Sequence, residues 1–174
     1  MNITSKHLMQ IEEAMDLLDT NEVNMAISAL KLIRARGGSV YLVGNGGSAA
    51  TCSHFANDLT KMGKMVAYSV PDMTPLTLAH GNDNGWSVMF SNVLRRMMKP
   101  EDVLIAITCS GESVNVVHAL EIRNTRILLT GPEDSSAVFT QPDIIIRAMA
   151  QEITVMEDIH SIICHAIARG LMDG

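Results

Sequence analysis

Five short apolar runs, SVYLV (39–43), MVAYSV (65–70), VLIAIT (103–108), RILLT (126–130) and DIIIRA (143–148), recur along this chain with helical or irregular segments between them. Short runs of this kind, rich in Val, Ile and Leu and lacking a polar face, read as strands buried on both sides. Strands that alternate with helices need crossover connections, which make the sheet parallel and cover both of its faces. The expected fold class is therefore α/β, a doubly wound parallel sheet of about five strands flanked by helices. Two helices precede the first strand. ITSKHLMQIEEAMDLLDTN sets Leu8, Ile11, Met15 and Leu18 on one stripe, and NEVNMAISALKLIRARGG runs from a cap at Asn21 to a stop at Gly37-Gly38. A closing helix is predicted from Val155 to Leu171. No linker, repeat or low-complexity segment divides residues 1–174, so a single domain is expected, with 1–37 as leading helices and 38–174 as core and closing helix.

With 174 residues, 47% hydrophobic and 18% charged, the chain can bury one sizeable core. Its net charge of −6 argues against nucleic acid or an acidic membrane surface as a partner. No stretch reaches the roughly 18 apolar residues of a membrane span. MNITSKHLMQ is polar and helical in character, so no signal peptide is expected. Cys52, Cys109 and Cys164 form no CxxC pair and are odd in number, which suits a reduced, cytoplasmic chain. The 13 Met residues, against 3% aromatics, read as adaptable core filler, the alternative being that some of them fill subunit interfaces.

Two turns carry the chemistry. In LVGNGGSAATCSHFANDL (42–59) the first strand runs into Gly44, Asn45, Gly46, Gly47 and Ser48 and then into a helix. Unpaired N–H groups and the helix dipole meet there and make an anion site. Gly44-Asn-Gly46-Gly-Ser-Ala49 also fits the dinucleotide fingerprint, whose ribose-binding acid would have to be Asp72. In VLIAITCSGESVNVVHAL the third strand runs into Thr108, Cys109, Ser110, Gly111, Glu112 and Ser113, a hydroxyl-rich loop ahead of another helix that suits a single phosphate. Neither turn has a Walker lysine, so triphosphate hydrolysis is not expected. Ser110 and Ser113 could also serve only as helix caps. Two such turns at the carboxyl edge of one sheet favour a ligand.

Behind the first turn, His54 and Asp58 stand four apart and share a helix face, an arrangement for a metal or for acid–base work. The last helix offers Glu157, Asp158, His160, Cys164 and His165. Glu157, His160 and Cys164 share a face and form a rival metal cluster. His7 is expected to be exposed and His118 to pack mid-helix, while His80 stands next to Gly81-Asn82-Asp83 and could line a pocket. Cys109 has no partner base in sequence and reads as a packed thiol.

GNGGSAATCSHFANDL, NDNGW (82–86), VLIAITCSGESVNVV and EDIHSIICH together resemble the sugar isomerase (SIS) domain, and within it the phosphoheptose isomerases, over nearly the whole chain. The resemblance implies conversion of sedoheptulose 7-phosphate to glycero-manno-heptose 7-phosphate, with no nucleotide cofactor. It places the phosphate in the Thr108–Ser113 loop (Thr108, Cys109, Ser110, Ser113) with help from Ser48, and the rest of the substrate at Asn45, Gly46, Gly47, Asn82, Asp83, Asp58 and Glu157. It puts zinc on His54, Asp58, Glu157 and His165, makes Asp58 the base and His165 the acid, and implies a homotetramer with active sites between subunits.

Three residues depart from the family pattern. Asp58 stands where the family has Glu, Glu157 where it has Gln, and Glu112 where it usually has Asn. Residues eight apart rise about 12 Å along a helix, so Glu157 and His165 can meet one ion only by leaning together. A retuned metal enzyme and a non-catalytic phosphosugar-binding or regulatory SIS module are both compatible with these changes.

Overall fold

The computed structural model describes residues 2–172. The leading helices are α1 (Ile3–Asp16) and α2 (Thr20–Ala35). They are followed by β1 (Val40–Val43), α3 (Gly46–Lys61), β2 (Ala67–Ser69), α4 (Thr74–Asn84) and α5 (Met89–Met97). The chain continues through β3 (Val103–Ile107), α6 (Val114–Ala119), β4 (Thr125–Thr130), α7 (Ser136–Phe139) and β5 (Ile144–Arg147), and closes with α8 (Ile153–Gly170). All four strand pairings are parallel, in the order β2-β1-β3-β4-β5. This is the expected doubly wound α/β sheet.

Alternation along each strand divides the side chains between two cores. Val40 and Leu42 of β1, Val103, Ile105 and Ile107 of β3, Ile127 and Leu129 of β4, and Ile144 and Ile146 of β5 face α2, α3 and α8. Tyr41, Val43, Leu104, Ala106 and Leu128 face the other way, onto α5, α6 and α7. The central strands β1 and β3 are therefore buried on both faces, as their sequences require. The leading helices pack against α8, extending the first core outward.

β2 is shorter than its apolar run. Of residues 65–70 only Ala67–Ser69 pair, because Pro71 has no N–H to give a ladder and starts the 3-10 turn Val70–Asp72. The strand order reverses between β1 and β3, which β2 and β4 flank on opposite sides. In such sheets the crevice beyond the carboxyl ends of the two strands at the reversal is where ligands bind. The Gly44–Ser48 turn and the Thr108–Ser113 loop follow those two strands.

Candidate active site

α3 and α8 lie side by side on one sheet face, and a polar stripe runs along their contact. At one end His54 and Asp58 of α3 meet His165 of α8. His54 Nε2 lies 3.5 Å from Asp58 Oδ2, His165 Nε2 lies 3.7 Å from the same oxygen, and the two Nε2 atoms are 3.5 Å apart. The imidazoles meet edge to face, with centroids 5.0 Å apart. The Asp58 side chain is 11% exposed, whereas His54 and His165 are 62% and 53% exposed, so a buried carboxylate faces solvent through two open imidazoles. Asn57 donates to the other oxygen, Oδ1, at 3.2 Å and orients the carboxylate.

Three donor atoms in one small triangle suit a cation. A tetrahedral zinc with bonds of about 2.0–2.1 Å sets its ligand atoms about 3.3 Å apart, close to the spacing of these three. Two histidines and a carboxylate leave one position for water or substrate, the pattern of a catalytic rather than a structural site. Among the described residues, His54, Asp58 and His165 are the group able to hold a metal ion. A cleft of about 200 Å³ opens onto them, lined also by Thr51, Phe55 and Ser161.

Further along α8, Ser161 lies 3.5 Å from Thr51, and Glu157 reaches the glycine turn. A Cβ at Gly47 would meet the Glu157 carboxylate, which places that side chain directly against the glycine turn. Glu157 thus lies two helical turns from His165, about 12 Å along the axis, and the structure does not bring it to the other three ligands expected for the metal. Nor does it form the rival cluster. His160 is fully buried against the Thr130 carbonyl, 3.2 Å away, and Cys164 is buried beside the cleft.

Burial pushes the His160 imidazole down to about 4. The unfolded chain takes up this proton near pH 6.5, whereas the folded chain accepts it only near 4. Stability from the neutral ring is therefore complete above about pH 6.5 and lost as the pH falls toward 4, by about 3 kcal/mol. Urea unfolding of wild type and His160→Gln at pH 7 and pH 4 is expected to show wild type losing about 3 kcal/mol more than the variant. Equal losses would show that the ring does not titrate in this way.

The phosphate-type loop is held from beneath. Thr108 Oγ1 accepts from the Gly111 N–H at 3.2 Å, and Ser110 Oγ accepts from the Glu112 N–H at 3.2 Å. The segment after β4 clasps the loop: Gly131 N–H donates to the Cys109 carbonyl at 3.1 Å and Ala137 N–H to the Gly111 carbonyl at 2.9 Å. Gly111 adopts φ +69°, and the Ser135 side chain fills the space its Cβ would take. Glu112 does not extend free into solvent. Its carboxylate accepts from Ser136 N–H at 2.8 Å and from the Ser136 hydroxyl, and these bonds hold its pKa below the usual carboxylate value. Removing that clasp in Glu112→Ala is expected to raise KM for a sugar phosphate about three- to tenfold with kcat unchanged. An unaltered KM in steady-state assays would show that the loop keeps its shape without it.

Ser113 is the N-cap residue of α6 but makes no side-chain capping bond. Ser48 is buried in the first turn of α3, close enough to Cys109 to hydrogen-bond its thiol. Burial and the Glu157 carboxylate push that thiol up to about 11, so it is protonated at neutral pH and unsuited to nucleophilic attack. Asn82 and Asp83 lie on the exposed side of α4, where Asn82 donates to Asp83 at 2.8 Å, outside the cleft. His80 pairs with Asn84 on the same helix and His118 with the Ser87 carbonyl. His7 is partly covered and pairs with Asp158 at 2.8 Å, linking α1 to α8. Asn57, Thr51, Ser161 and Asn115 are the polar neighbours that sequence reasoning missed. Their residue types are common on helices, and only folding shows what they face.

The SIS-domain family matches residues 6–126. A phosphoheptose isomerase of Neisseria meningitidis serogroup C is 30% identical over 75% of this chain and 72% of that protein. One from Bordetella avium is 28% identical over 98% of this chain and 95% of its own. Among solved structures, the phosphoheptose isomerase GmhA of Neisseria gonorrhoeae superposes with a TM-score of 0.85 at 26% identity, covering 95% of this chain and 93% of that one. A phosphoheptose isomerase from Francisella tularensis shares the fold with a TM-score of 0.90 at 24% identity, over 98% and 95% of the two chains.

Proposed function

The chain belongs to the SIS-domain family, among its phosphoheptose isomerases, and from that premise we infer that it interconverts sedoheptulose 7-phosphate and D-glycero-D-manno-heptose 7-phosphate. The observation that carries this reading is the Asp58 carboxylate, buried between two imidazoles at the wall of an open cleft. Aldose–ketose isomerisation moves a proton between adjacent carbons through an enediol, and needs a base, an acid and stabilisation of the developing oxyanion.

In the proposed mechanism Asp58 removes a proton from C1 of the ketose through Oδ1, the carboxylate oxygen outside the triangle with the two imidazoles, and after exchange with solvent delivers one to C2. His165 donates a proton to the C2 oxygen from Nδ1, the ring nitrogen outside the triangle, and recovers one from the C1 hydroxyl, so the protein ends each turnover as it began. His54, Asp58 and His165 would hold a zinc ion, and the chemistry it would supply there is polarisation of the sugar carbonyl. Glu157 accepts hydrogen bonds from sugar hydroxyls beside Gly47 rather than serving as a ligand. Ser48, Ser110, Ser113 and the loop backbone between Thr108 and Ser113 take the phosphate, with Asn45, Gly46 and Gly47 along the substrate. The open-chain sugar lies along the α3–α8 groove between the two ends of the site.

The remaining parts of the reading concern assembly and setting. The whole chain is taken as one SIS domain in a homotetramer, in which Asn82 and Asp83 of α4 reach a neighbouring site. The outward apolar residues Leu8, Leu17, Met25 and Leu32 of the leading helices and their connection support association. Free cysteines at 52, 109 and 164 suit a reducing cytoplasm. Among the described residues no helix is long and apolar enough to cross a membrane.

Thermal melts with sedoheptulose 7-phosphate and with NAD separate this reading from a dinucleotide enzyme. A rise in Tm with the sugar phosphate alone supports it, and a rise with NAD alone overturns it. A non-catalytic phosphosugar module would bind the sugar phosphate without forming product.

A further inference from the structure

Asn45 is the N-cap residue of α3, with extended backbone at φ −116° and ψ 157°, yet its side chain makes no capping bond. Asparagine is among the strongest N-cap residues, because its carbonyl oxygen accepts from the N–H two or three positions on. The same chain uses such caps elsewhere: Asn2 accepts from Ser5 N–H at 2.8 Å at the start of α1, and Asp19 accepts from Asn21 N–H at 2.9 Å at the start of α2. At α3 the amide is turned away. Asn45 Nδ2 donates to Asn115 Oδ1 at 2.8 Å, and Asn115 Nδ2 donates back to Asn45 Oδ1 at 2.9 Å.

Asn115 sits in the first turn of α6 and is fully buried. The reciprocal pair therefore bridges the turn after β1 and the loop after β3, the two segments on either side of the strand-order reversal. Both donors and both acceptors are used in part by each other. An unpaired amide at Asn115 would be costly in so buried a place, which fixes the orientation of its partner. The Gly47 and Ser48 N–H groups, one of which a capping Asn45 would occupy, are left without that partner at the positive end of the helix dipole.

We propose that Asn115 is a positioning residue: by pairing with the Asn45 amide it keeps Asn45 from capping α3, and so leaves the first N–H groups of that helix to the phosphosugar. The proposal rests on the isomerase reading for its ligand, but the pairing itself can be tested without one. It changes the role expected of Asn45, whose side chain is engaged within the protein while its backbone and the following glycines meet the substrate.

The test compares wild type, Asn115→Ala, Asn45→Ala and the double variant as full chains. Amide hydrogen exchange followed by NMR reads Gly47 and Ser48 directly. In Asn115→Ala the released Asn45 swings back as a cap, so protection at one of these two N–H groups rises, and the rise vanishes in the double variant. Calorimetry and steady-state assays with sedoheptulose 7-phosphate are expected to show about a tenfold increase in Kd and KM for Asn115→Ala with kcat unchanged, the effect of losing about one good hydrogen bond to the ligand. Adding Asn45→Ala to that variant restores most of the lost affinity, because the competing cap is gone and the N–H it held is again open to the ligand.

Unchanged exchange at Gly47 and Ser48 in Asn115→Ala would overturn the proposal, and so would effects of the two substitutions on Kd that simply multiply. If Asn115→Ala does not fold, Asn115→Ser, which is polar but cannot make the reciprocal pair, gives the same comparison. A wild-type chain that shows the exchange pattern but neither binds nor converts the sugar phosphate would count against the isomerase reading and leave the pairing supported.

Discussion

Asp58→Asn is expected to lower kcat for sedoheptulose 7-phosphate by a factor of about 10² to 10⁴, the usual contribution of a positioned general base. The carboxamide has nearly the shape of the carboxylate but cannot accept the C1 proton. The fold should survive, because Asn57 still has an oxygen to donate to and the surrounding helix contacts are apolar. Binding is expected to persist, since the phosphate is held at the turns, where Ser48 lies about 15 Å along α3 from Asp58. Rapid-quench or NMR assays for product, alongside calorimetry for binding, separate these two effects. Full activity in this variant would remove Asp58 from the role of base. A shorter carboxylate than the family's Glu does not forbid that role, because Asp58 Oδ2 already stands 3.5 and 3.7 Å from the two imidazoles.

The second large effect is expected from His54→Ala. This side chain is 62% exposed, so its removal should change stability little. It takes away one of three converging donors, and loss of a direct ligand should weaken zinc binding by at least about a hundredfold, more than loss of an outer partner does. Turnover should fall at limiting zinc and recover in part as zinc is raised, whereas Asp58→Asn should not recover. Equilibrium dialysis against zinc checks the affinity independently of any reaction. Zinc affinity equal to wild type would show that the ion, if bound, lies elsewhere.

The expected architecture was legible because buried parallel strands advertise themselves as uninterrupted apolar runs, and each of the five runs contains a strand. The shortened β2 shows where that signal ends: Val70 continues the apolar pattern, but Pro71 cannot join a ladder. The segment with Asn82 and Asp83 lies inside helix α4, although Gly81, Asn82, Asp83 and Asn84 are poor helix formers, because Pro75 starts the helix and contacts with α5 sustain it. The His54 and Asp58 juxtaposition follows from spacing alone, since residues four apart share a helix face. The arrival of His165 does not: α8 is 111 residues away from His54 in sequence, and the resemblance, not periodicity, pointed to it. Glu157 illustrates the reverse. Family likeness placed it with the metal, whereas helix geometry sets it two turns off, against Gly47. The Asn45–Asn115 pair had no signal at all, because two asparagines 70 positions apart announce a contact only after the sheet has brought their turns together.

The most direct test of the isomerase account is proton NMR of sedoheptulose 7-phosphate incubated with the purified chain in D₂O, with zinc added and with a chelator. The enediol route predicts an aldose signal that grows with time, deuterium entering at C2 as it forms, and loss of both on chelation. An unchanged ketose spectrum from protein shown by calorimetry to bind the sugar phosphate would contradict the account and leave a phosphosugar-binding module in its place.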